Sequence, residues 1–343
     1  MRAITREIAT WSEIETPRPV DTIYFGGGTP STLLPHQLDQ ILAAVRTRFL
    51  VSTEAEMTME MNPGTVSRAT LADFQSLGVN RASFGAQTFD DAELARLGRS
   101  HTAAETRQTF LDLRDAGFAN VSFDLIAGLP GQTMVGWLAN VRESLSLRPE
   151  HLSFYLLEVH EGTPLADQIK RGRQPEPDDD LAAAMYETMI EESQSVGYVH
   201  YEISNLSLPG FESRHNTKYW TGEPYYGFGC SAHSHDGNLR RWANERDVLG
   251  YVKLVENDAS PVVQRWDLIE GDRRSENVFL GMRMMNGIST RHHQAMFGVD
   301  LLSDHWNDIE RFKQAGLIEV SEDRIRLTRA GALLSNEVFA AFV

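Results

Sequence analysis

The residues best suited to binding chemistry begin with three consecutive glycines, Gly26, Gly27 and Gly28, followed by Thr29 and Pro30. Glycines cost conformational entropy on folding, so such a run marks a place where the backbone bends sharply or approaches another group closely. Its N–H and C=O groups are open to a polar ligand. No Lys-Ser or Lys-Thr pair and no second spaced glycine follows, which does not match a phosphate-binding loop or a dinucleotide fingerprint. The alternative interpretation is a tight strand-to-helix turn.

Three further polar residues, Glu60, Gln87 and Asp124, are placed at or just beyond the carboxyl ends of predicted strands. The carboxyl ends of parallel strands converge on one mouth, where ligands bind in α/β folds. A solvated surface position is the alternative for any one of them. Three successive polar strand ends favour a shared site.

The elements that must position these residues alternate between strand and helix over the first half of the chain. This alternation predicts a parallel sheet with right-handed crossovers, either open or curled into a barrel, and the polar strand ends favour the barrel. The predicted strands are Thr22–Phe25, Glu56–Met61, Arg81–Phe84, Asn120–Ile126 and Leu152–Leu157. The predicted helices are Pro35–Phe49, Ser67–Leu77, Asp90–Leu97, Ala103–Ala116, Met134–Leu147 and, after an acidic loop that caps it, Leu181–Val196.

The second half of the chain divides into an irregular segment and a C-terminal module. Residues 198–235 are rich in glycine, aromatics and histidine without clear periodicity, and long irregular segments in compact domains are often functional. Residues 263–343 resemble a winged-helix module with balanced charge, so a lid or packing role is favoured over DNA binding. The predicted domains are 1–262 and 263–343. The module's predicted elements are the helices Arg273–Met285, Leu301–Gln314 and Thr328–Phe342 and the hairpin strands Leu317–Val320 and Arg324–Leu327.

Composition excludes several classes of protein. The formal net charge of −16 over 343 residues argues against a general nucleic-acid or anionic-membrane binder, because both require clustered Lys and Arg. No stretch has the length and apolarity of a membrane span, and the first ten residues predict an amphipathic helix rather than a signal peptide. A single cysteine, Cys230, predicts a reducing, cytoplasmic setting, and we interpret it as a small core residue.

Four motifs in register carry a resemblance to a known family: Tyr24–Pro30 (YFGGGTP), Met59–Pro63 (MEMNP), Arg81–Gln87 (RASFGAQ) and Phe123–Gln132 (FDLIAGLPGQ). They are similar to the radical S-adenosylmethionine proteins related to oxygen-independent coproporphyrinogen III oxidase, and the likeness covers nearly the whole chain. Within that family, YEISN at 201–205 followed by RHNTKYW at 214–220 resembles the heme chaperone HemW branch.

The resemblance implies an α/β fold, a partial (β/α) barrel of the radical SAM type, with a [4Fe–4S] cluster and S-adenosylmethionine at its mouth. That ligand carries an ammonium, a carboxylate, a sulfonium and ribose hydroxyls, which call for carboxylates, a guanidinium and amides together. The positions that match the family's S-adenosylmethionine contacts are Gly26, Gly27, Gly28, Thr29, Glu60, Gln87, Arg99 and Asp124.

The chain departs from the family at the cluster. The family holds the cluster with three cysteines in a CxxxCxxC loop after the first barrel strand, and this sequence contains only Cys230. No metal ligands are therefore assigned, and the chain as written is expected not to cleave S-adenosylmethionine. Two interpretations compete: the true start lies upstream of Met1, or the protein has lost the cluster and retains binding alone. The start inside a predicted helix, with every other motif intact, favours the first.

The resemblance associates His215, Asn216, Tyr219 and Trp220 with heme. Imidazole is a common axial ligand of heme iron, and aromatic side chains shield a porphyrin face. In the alternative interpretation His215 and Asn216 tie the irregular loop to the backbone, and the aromatic side chains fill the core. His233 and His235 are secondary candidates.

The implied function is a heme chaperone that binds heme and passes it to an unidentified acceptor, with S-adenosylmethionine and a cluster assisting. A porphyrin-oxidising radical enzyme of the coproporphyrinogen III oxidase type is the alternative. A binding protein that no longer uses the cluster is a third possibility.

Overall fold

The computed structural model of the chain describes residues 1–12 and 19–343. Its strands are β1 (Val20–Phe25), β2 (Val51–Met61), β3 (Arg81–Gln87), β4 (Val121–Ala127), β5 (His151–Leu156), β6 (Val199–Glu202), β7 (Asn205–Ser207), β8 (His233–His235), β9 (Arg240–Asn244), β10 (Val262–Asp267), β11 (Ile288–Ser289), β12 (Ile318–Val320) and β13 (Arg324–Leu327).

Its α-helices are α1 (Arg2–Thr10), α2 (Pro35–Arg48), α3 (Arg68–Ser76), α4 (Asp91–Arg96), α5 (Ala103–Asp115), α6 (Met134–Leu147), α7 (Pro164–Lys170), α8 (Asp179–Ser195), α9 (Arg214–Thr221), α10 (Val248–Glu256), α11 (Glu270–Met282), α12 (Thr290–Phe297), α13 (Leu301–Asp304), α14 (Trp306–Gln314), α15 (Arg329–Leu333) and α16 (Ser335–Phe339). Short 3₁₀ turns cover Pro30–Thr32 and Ala340–Phe342. In the parts of the chain so described, every helix is too short or too polar to span a bilayer.

The main sheet has seven strands in the order β1-β2-β3-β4-β5-β7-β6. Strands β2 to β5 pair in parallel, and β7 pairs antiparallel with both β5 and β6. Helices α3 to α6 supply the crossovers between the parallel strands. This is the partial (β/α) barrel that the strand–helix alternation and the family resemblance predict.

Residues in these parallel strands alternate between apolar and polar. Phe84, Phe123 and Phe154 are buried on one face, where the rings of Phe84 and Phe123 lie 4.7 Å apart and Phe110 of α5 packs 5.3 Å from Phe123. The other face is polar. On that face Thr58 of β2 pairs with Arg81 of β3. Parallel strands covered on both faces usually have continuous apolar sequences, so the alternation indicates a polar site inside the partial barrel.

Two compact units make up the chain. One comprises residues 24–33 and 57–213, and the other comprises residues 1–23, 34–56 and 214–343 within the described parts. The second unit holds a sheet in the order β10-β9-β8 and a C-terminal sheet in the order β11-β13-β12, flanked by α11 to α16.

The C-terminal module differs in detail from prediction. The helix predicted over Leu301–Gln314 is two helices, because the backbone at His305 leaves the helical region (φ −116°, ψ 28°) between α13 and α14. The helix predicted over Thr328–Phe342 is likewise divided, at Leu334 (φ −103°, ψ 26°). Cys230 is half-buried rather than a core residue, and it packs beside the cluster of Ala3, Tyr251 and Val255.

Candidate functional site

The glycine run is held by the carboxylate of Glu60, the next-to-last residue of β2. The Tyr24 hydroxyl donates to Glu60 Oε1 (2.6 Å), and the Gly27 N–H donates to Oε2 (3.0 Å). At Gly26 a Cβ atom would lie 2.6 Å from the Tyr24 ring and 3.1 Å from Glu60 Oε1, so only glycine fits there. The run is therefore a close approach of backbone to a carboxylate as well as a turn.

Gly27 and Gly28 adopt left-handed backbone angles (φ +81° and +66°). Such angles strain any residue with a side chain. A Cβ at either position would nevertheless meet no heavy atom within 4 Å. The loop is therefore open on the side that these two Cβ atoms would occupy. Because a substitution at either glycine would strain the backbone, the ligand-binding role of the loop is better tested at Glu60. Thr29 is fixed by Asn62, whose amide donates to its hydroxyl (3.0 Å).

Gln87 ends β3 in an uncommon conformation. Its φ is +63°, and the Thr88 N–H donates to the Ala86 carbonyl (2.7 Å), which makes Gln87 the centre of a tight turn. The Gln87 side-chain amide covers the space beside Gly85 that a Cβ would occupy. Strained backbone held in place at a strand end is a feature of binding sites.

Asp124 lies in the middle of β4, not at its end as the sequence predicts. Asp124 nevertheless lies on the same polar face as Glu60. Glu60 pairs with Ser83 of β3, which pairs with Ser122 of β4. Asp124 is two residues beyond Ser122, and side chains two residues apart on a strand point to the same face. Burial raises the pKa of the Asp124 carboxyl to about 6, against a hydrogen bond from Ser153 that lowers it. At neutral pH Asp124 is a half-buried, largely desolvated carboxylate.

Arg81 is a member of this site that the sequence analysis missed. It is 2% exposed, it lies on the polar face of β3, and its charge acts on both Asp124 and Tyr24. The charge of Arg99, which follows α4, also reaches Asp124. The alternating patterns MTMEM and RASFG are the sequence signal that would have placed Arg81 beside Glu60.

All eight residues predicted for S-adenosylmethionine lie in the same compact unit. A cluster is a different matter: Cys230 is the single cysteine, and among residues 1–12 and 19–343 no group of three or more His, Cys, Asp or Glu side chains is arranged to hold a metal ion. These residues do not fit a [4Fe–4S] cluster held by three cysteines.

The segment predicted to be irregular contains a helix, α9, which carries His215, Asn216, Tyr219 and Trp220. Its N-terminus is capped from a distance by Glu56 of β2, which accepts from the backbone N–H groups of Arg214 (3.2 Å) and His215 (3.0 Å). A carboxylate there satisfies otherwise unpaired donors and complements the helix dipole. The helix escaped prediction because its cap comes from another part of the chain.

Both ring nitrogens of His215 are engaged. Nδ1 lies 3.0 Å from the Thr22 hydroxyl, and Nε2 lies 3.0 Å from the Tyr219 hydroxyl. Burial lowers the pKa of His215 to about 4, so the imidazole is neutral at physiological pH. Neutral imidazole has one N–H and one lone pair, so the ring donates to one of these hydroxyls and accepts from the other. The role of His215 in heme binding stays a prediction.

Tyr219 and Trp220 line a cleft of about 180 Å³, which we call the aromatic cleft. Tyr225 and Tyr219 pack edge to face with their rings 4.7 Å apart. Arg241 and Arg273 contribute cations to the same walls. An adjoining cavity of about 440 Å³ shares Trp220, whose ring lies 4.2 Å below the guanidinium of Arg283.

Comparison with known proteins agrees with this architecture. The Radical SAM superfamily model matches residues 4–141, and the HemN C-terminal domain model matches residues 270–334. A protein of Bacillus subtilis named heme chaperone HemW is 36% identical over 323 residues, which cover 94% of this chain and 85% of that protein. The chain belongs to the HemW family.

A second HemW family member, the heme chaperone HemW of Lactococcus lactis, is 35% identical and covers 96% of this chain and 86% of its own length. The structure of Escherichia coli coproporphyrinogen III oxidase (HemN), described as a radical SAM enzyme, superposes with a TM-score of 0.82 over 99% of this chain and 82% of that chain. At 21% identity this likeness shows the fold alone.

Proposed function

We propose that this HemW family protein binds heme in the aromatic cleft and passes it to an acceptor protein. The observation that carries the proposal is the composition of the cleft around α9. Heme is a flat apolar macrocycle with two carboxylates, and the cleft combines the rings of Tyr219, Trp220 and Tyr225 with the cation of Arg273. Arg241 also lines the cleft, where it is paired with Glu276 (2.6 Å). The names of its relatives in Bacillus subtilis and Lactococcus lactis support the same function.

Titration with hemin tests this proposal. We expect near-stoichiometric binding, and we expect Trp220→Ala to weaken it by about 5- to 150-fold, because a lost aromatic contact of this kind is worth about 1–3 kcal/mol. Trp266→Ala, on β10 and 38% exposed, is the matched control and should bind hemin like the wild type. Failure of the wild-type protein to bind hemin would refute the proposal.

We further propose that the polar site of the partial barrel binds S-adenosylmethionine. The residues fit it: Glu60 offers a carboxylate beside open backbone for the ammonium, Arg99 offers an exposed guanidinium for the carboxylate, and Gln87 and Asp124 offer amide and carboxylate oxygens for hydroxyls. When bound with a cluster, this ligand supplies radical chemistry in the superfamily. The chain's own residues bind and orient it.

Replacing Glu60 with glutamine is expected to weaken S-adenosylmethionine binding by about 10- to 100-fold. A charge-assisted hydrogen bond is worth roughly 1.5–3 kcal/mol, and the amide also lacks one of the two acceptor oxygens that hold Tyr24 and Gly27. Calorimetry measures the affinity. Glu54→Gln, an exposed position on the same strand, is the control. Equal affinities of wild type and Glu60→Gln would move the ligand elsewhere.

Two remaining elements of the proposal rest on the sequence. The domain boundary between residues 262 and 263 stays a prediction, and a cytoplasmic location rests on the single cysteine.

A further inference from the structure

We propose that Thr22 and Glu56 are positioning residues of the heme site, which hold His215 at its ring and at its backbone so that Nε2 is the nitrogen that binds the iron. This inference rests on the proposed heme function and on the prediction that His215 is the axial ligand. It assigns a role to two residues outside the RHNTKYW motif, which lie 193 and 159 residues from His215 along the chain.

Glu56 fixes the start of α9. One of its carboxylate oxygens accepts from the Arg214 N–H (3.2 Å) and the other from the His215 N–H (3.0 Å). Glu56 is only 7% exposed, and a buried carboxylate needs such donors to replace its lost hydration. Because an isolated helix of eight residues is marginal in water, this distant cap decides where α9 begins and where His215 stands.

A second carboxylate, that of Asp21 on β1, holds the rest of the helix. It lies 3.0 Å from Lys218 Nζ and 3.3 Å from Arg214 Nη2. Thr22 is the next residue of the same strand, and β1 neighbours β2, which carries Glu56, in the main sheet. All of these residues belong to one compact unit. The helix is therefore anchored on two strands rather than on its own sequence.

Thr22 fixes the ring of His215. Its hydroxyl lies 3.0 Å from Nδ1, and the Tyr219 hydroxyl lies 3.0 Å from Nε2. In a neutral ring one nitrogen donates and the other accepts. A phenol is a stronger donor and a weaker acceptor than an aliphatic hydroxyl, so Tyr219 donates to Nε2, and the Nδ1–H donates to Thr22. The lone pair of the ring is therefore at Nε2.

Iron binding at Nε2 requires the Tyr219 hydroxyl to withdraw, whereas the hydrogen bond to Thr22 is kept. Tyr219 lines the aromatic cleft, and rotation of its own side chain is enough to release Nε2. Thr22 has a short β-branched side chain, which is stiff at χ1. A metal-binding histidine typically keeps a hydrogen bond at its other ring N–H, and that bond fixes its tautomer and its orientation.

The experiment loads the full chain with ferric hemin and compares wild type, Thr22→Val, Thr22→Ser and Thr109→Val. Valine keeps the shape of threonine without the hydroxyl, and we expect Thr22→Val to weaken hemin affinity by about 10- to 100-fold and to shift the Soret band of the saturated complex. Thr22→Ser retains the hydroxyl and should restore both. Thr109 is 5% exposed and accepts from the Gly64 N–H (3.1 Å), so Thr109→Val is the matched control and should bind like the wild type.

Glu56→Gln tests the backbone anchor. Glutamine has one acceptor oxygen and no charge, so we expect hemin affinity to fall by about 2- to 30-fold, the range expected for a weakened helix cap. Deuterium exchange should become faster at the amides of Arg214 and His215, which Glu56 holds. Glu54→Gln, at an exposed position on the same strand, is the control and should match the wild type.

Tyr219→Phe distinguishes the two ring nitrogens. This variant keeps the aromatic ring and removes the hydroxyl that covers Nε2. We expect it to keep the wild-type Soret band and to bind hemin at least as tightly as the wild type, because no hydrogen bond has to break when the iron binds. Thr22→Val and Tyr219→Phe should therefore differ in the direction of their effects.

The proposal is overturned if Thr22→Val binds hemin with the wild-type affinity and Soret band, even if it melts at a lower temperature, because Thr22 would then be structural. It is also overturned if Tyr219→Phe alone changes the band, since the iron would then bind Nδ1, or if His215→Ala keeps the wild-type spectrum. Failure of the wild type to bind hemin would instead remove the proposed function, so the two failures are distinguishable.

Discussion

Asp124→Asn is expected to raise the free energy of unfolding near pH 8 by about 3 kcal/mol. Burial raises the pKa of this carboxyl from 3.8 to about 6 in the folded protein. Folding therefore disfavours its ionised form, and a pKa difference of one between the folded and unfolded states corresponds to roughly 1.4 kcal/mol. The folded state binds more protons than the unfolded state between about pH 4 and pH 6, so stability contributed by this group falls as pH rises through that window. Asparagine does not ionise, so the Asp124→Asn variant does not undergo this fall in the free energy of unfolding.

Urea unfolding of wild type and Asp124→Asn from pH 4 to pH 8 measures this effect. The two stabilities should converge near pH 4 and separate up to pH 6. Asp39→Asn, an exposed position on α2, should leave the curve unchanged. A destabilised Asp124→Asn at pH 8 would show that its hydrogen bond with Ser153 outweighs the cost of burying the charge. A carboxylate kept at such a cost supports a binding role for this position.

The wild-type protein is expected to lose free energy of unfolding on acidification through His215, and His215→Gln is expected to remove this contribution. Burial lowers the pKa of His215 from 6.5 to about 4, so here the unfolded state binds more protons between those values. Stability from this group is present above about pH 6.5 and is lost as pH falls towards 4, by about 2 kcal/mol at pH 5 and about 3 kcal/mol at pH 4. The variant should be less stable than wild type at pH 7.5 by roughly 1–3 kcal/mol, because two hydrogen bonds are lost.

The difference in unfolding free energy between wild type and His215→Gln, followed from pH 7.5 to pH 4, tests this prediction. It should shrink or reverse at the acid end. His233→Gln, at an exposed position, should give a curve parallel to the wild type. A constant difference across the range would mean that His215 is not held neutral by its surroundings.

The two groups give stability slopes of opposite sign between pH 4 and pH 6. Protonation favours folding at Asp124 and opposes it at His215, so the effects offset each other in the wild type. Burial also lowers the pKa of His151 and His293, so their contributions slope in the same direction as that of His215. The Asp124 and His215 contributions are therefore measured as differences between wild type and variant.

Much of the fold was predictable because its signals are local. The bounds of α6 and β13 are those predicted from hydrophobic periodicity and turn residues, and Asp178 caps α8 by accepting from the Leu181 N–H (3.0 Å) as the acidic loop indicated. Strand–helix alternation and the four family motifs predicted the partial barrel. Each of these signals lies within a few residues of the element that it specifies.

Other elements depended on partners distant in sequence. Helix α9 begins where Glu56 supplies its cap from 158 residues away, so no local pattern announces it. Arg81 joined the polar site only through the register of β2 with β3. Hydrophobic periodicity predicts the structure of one segment at a time. It does not predict which segments pack together.

The same division applies to the histidines. The sequence by itself determined the family, the glycine run with Glu60, and the set of candidate ligands that includes His215 and His235. Only the tertiary structure decided their states: the ring of His215 is bonded at both nitrogens, whereas Nε2 of His235 is buried and unpartnered among the described residues. A ring nitrogen's availability depends on the groups that folding brings within hydrogen-bond distance of it, and those groups come from distant parts of the chain.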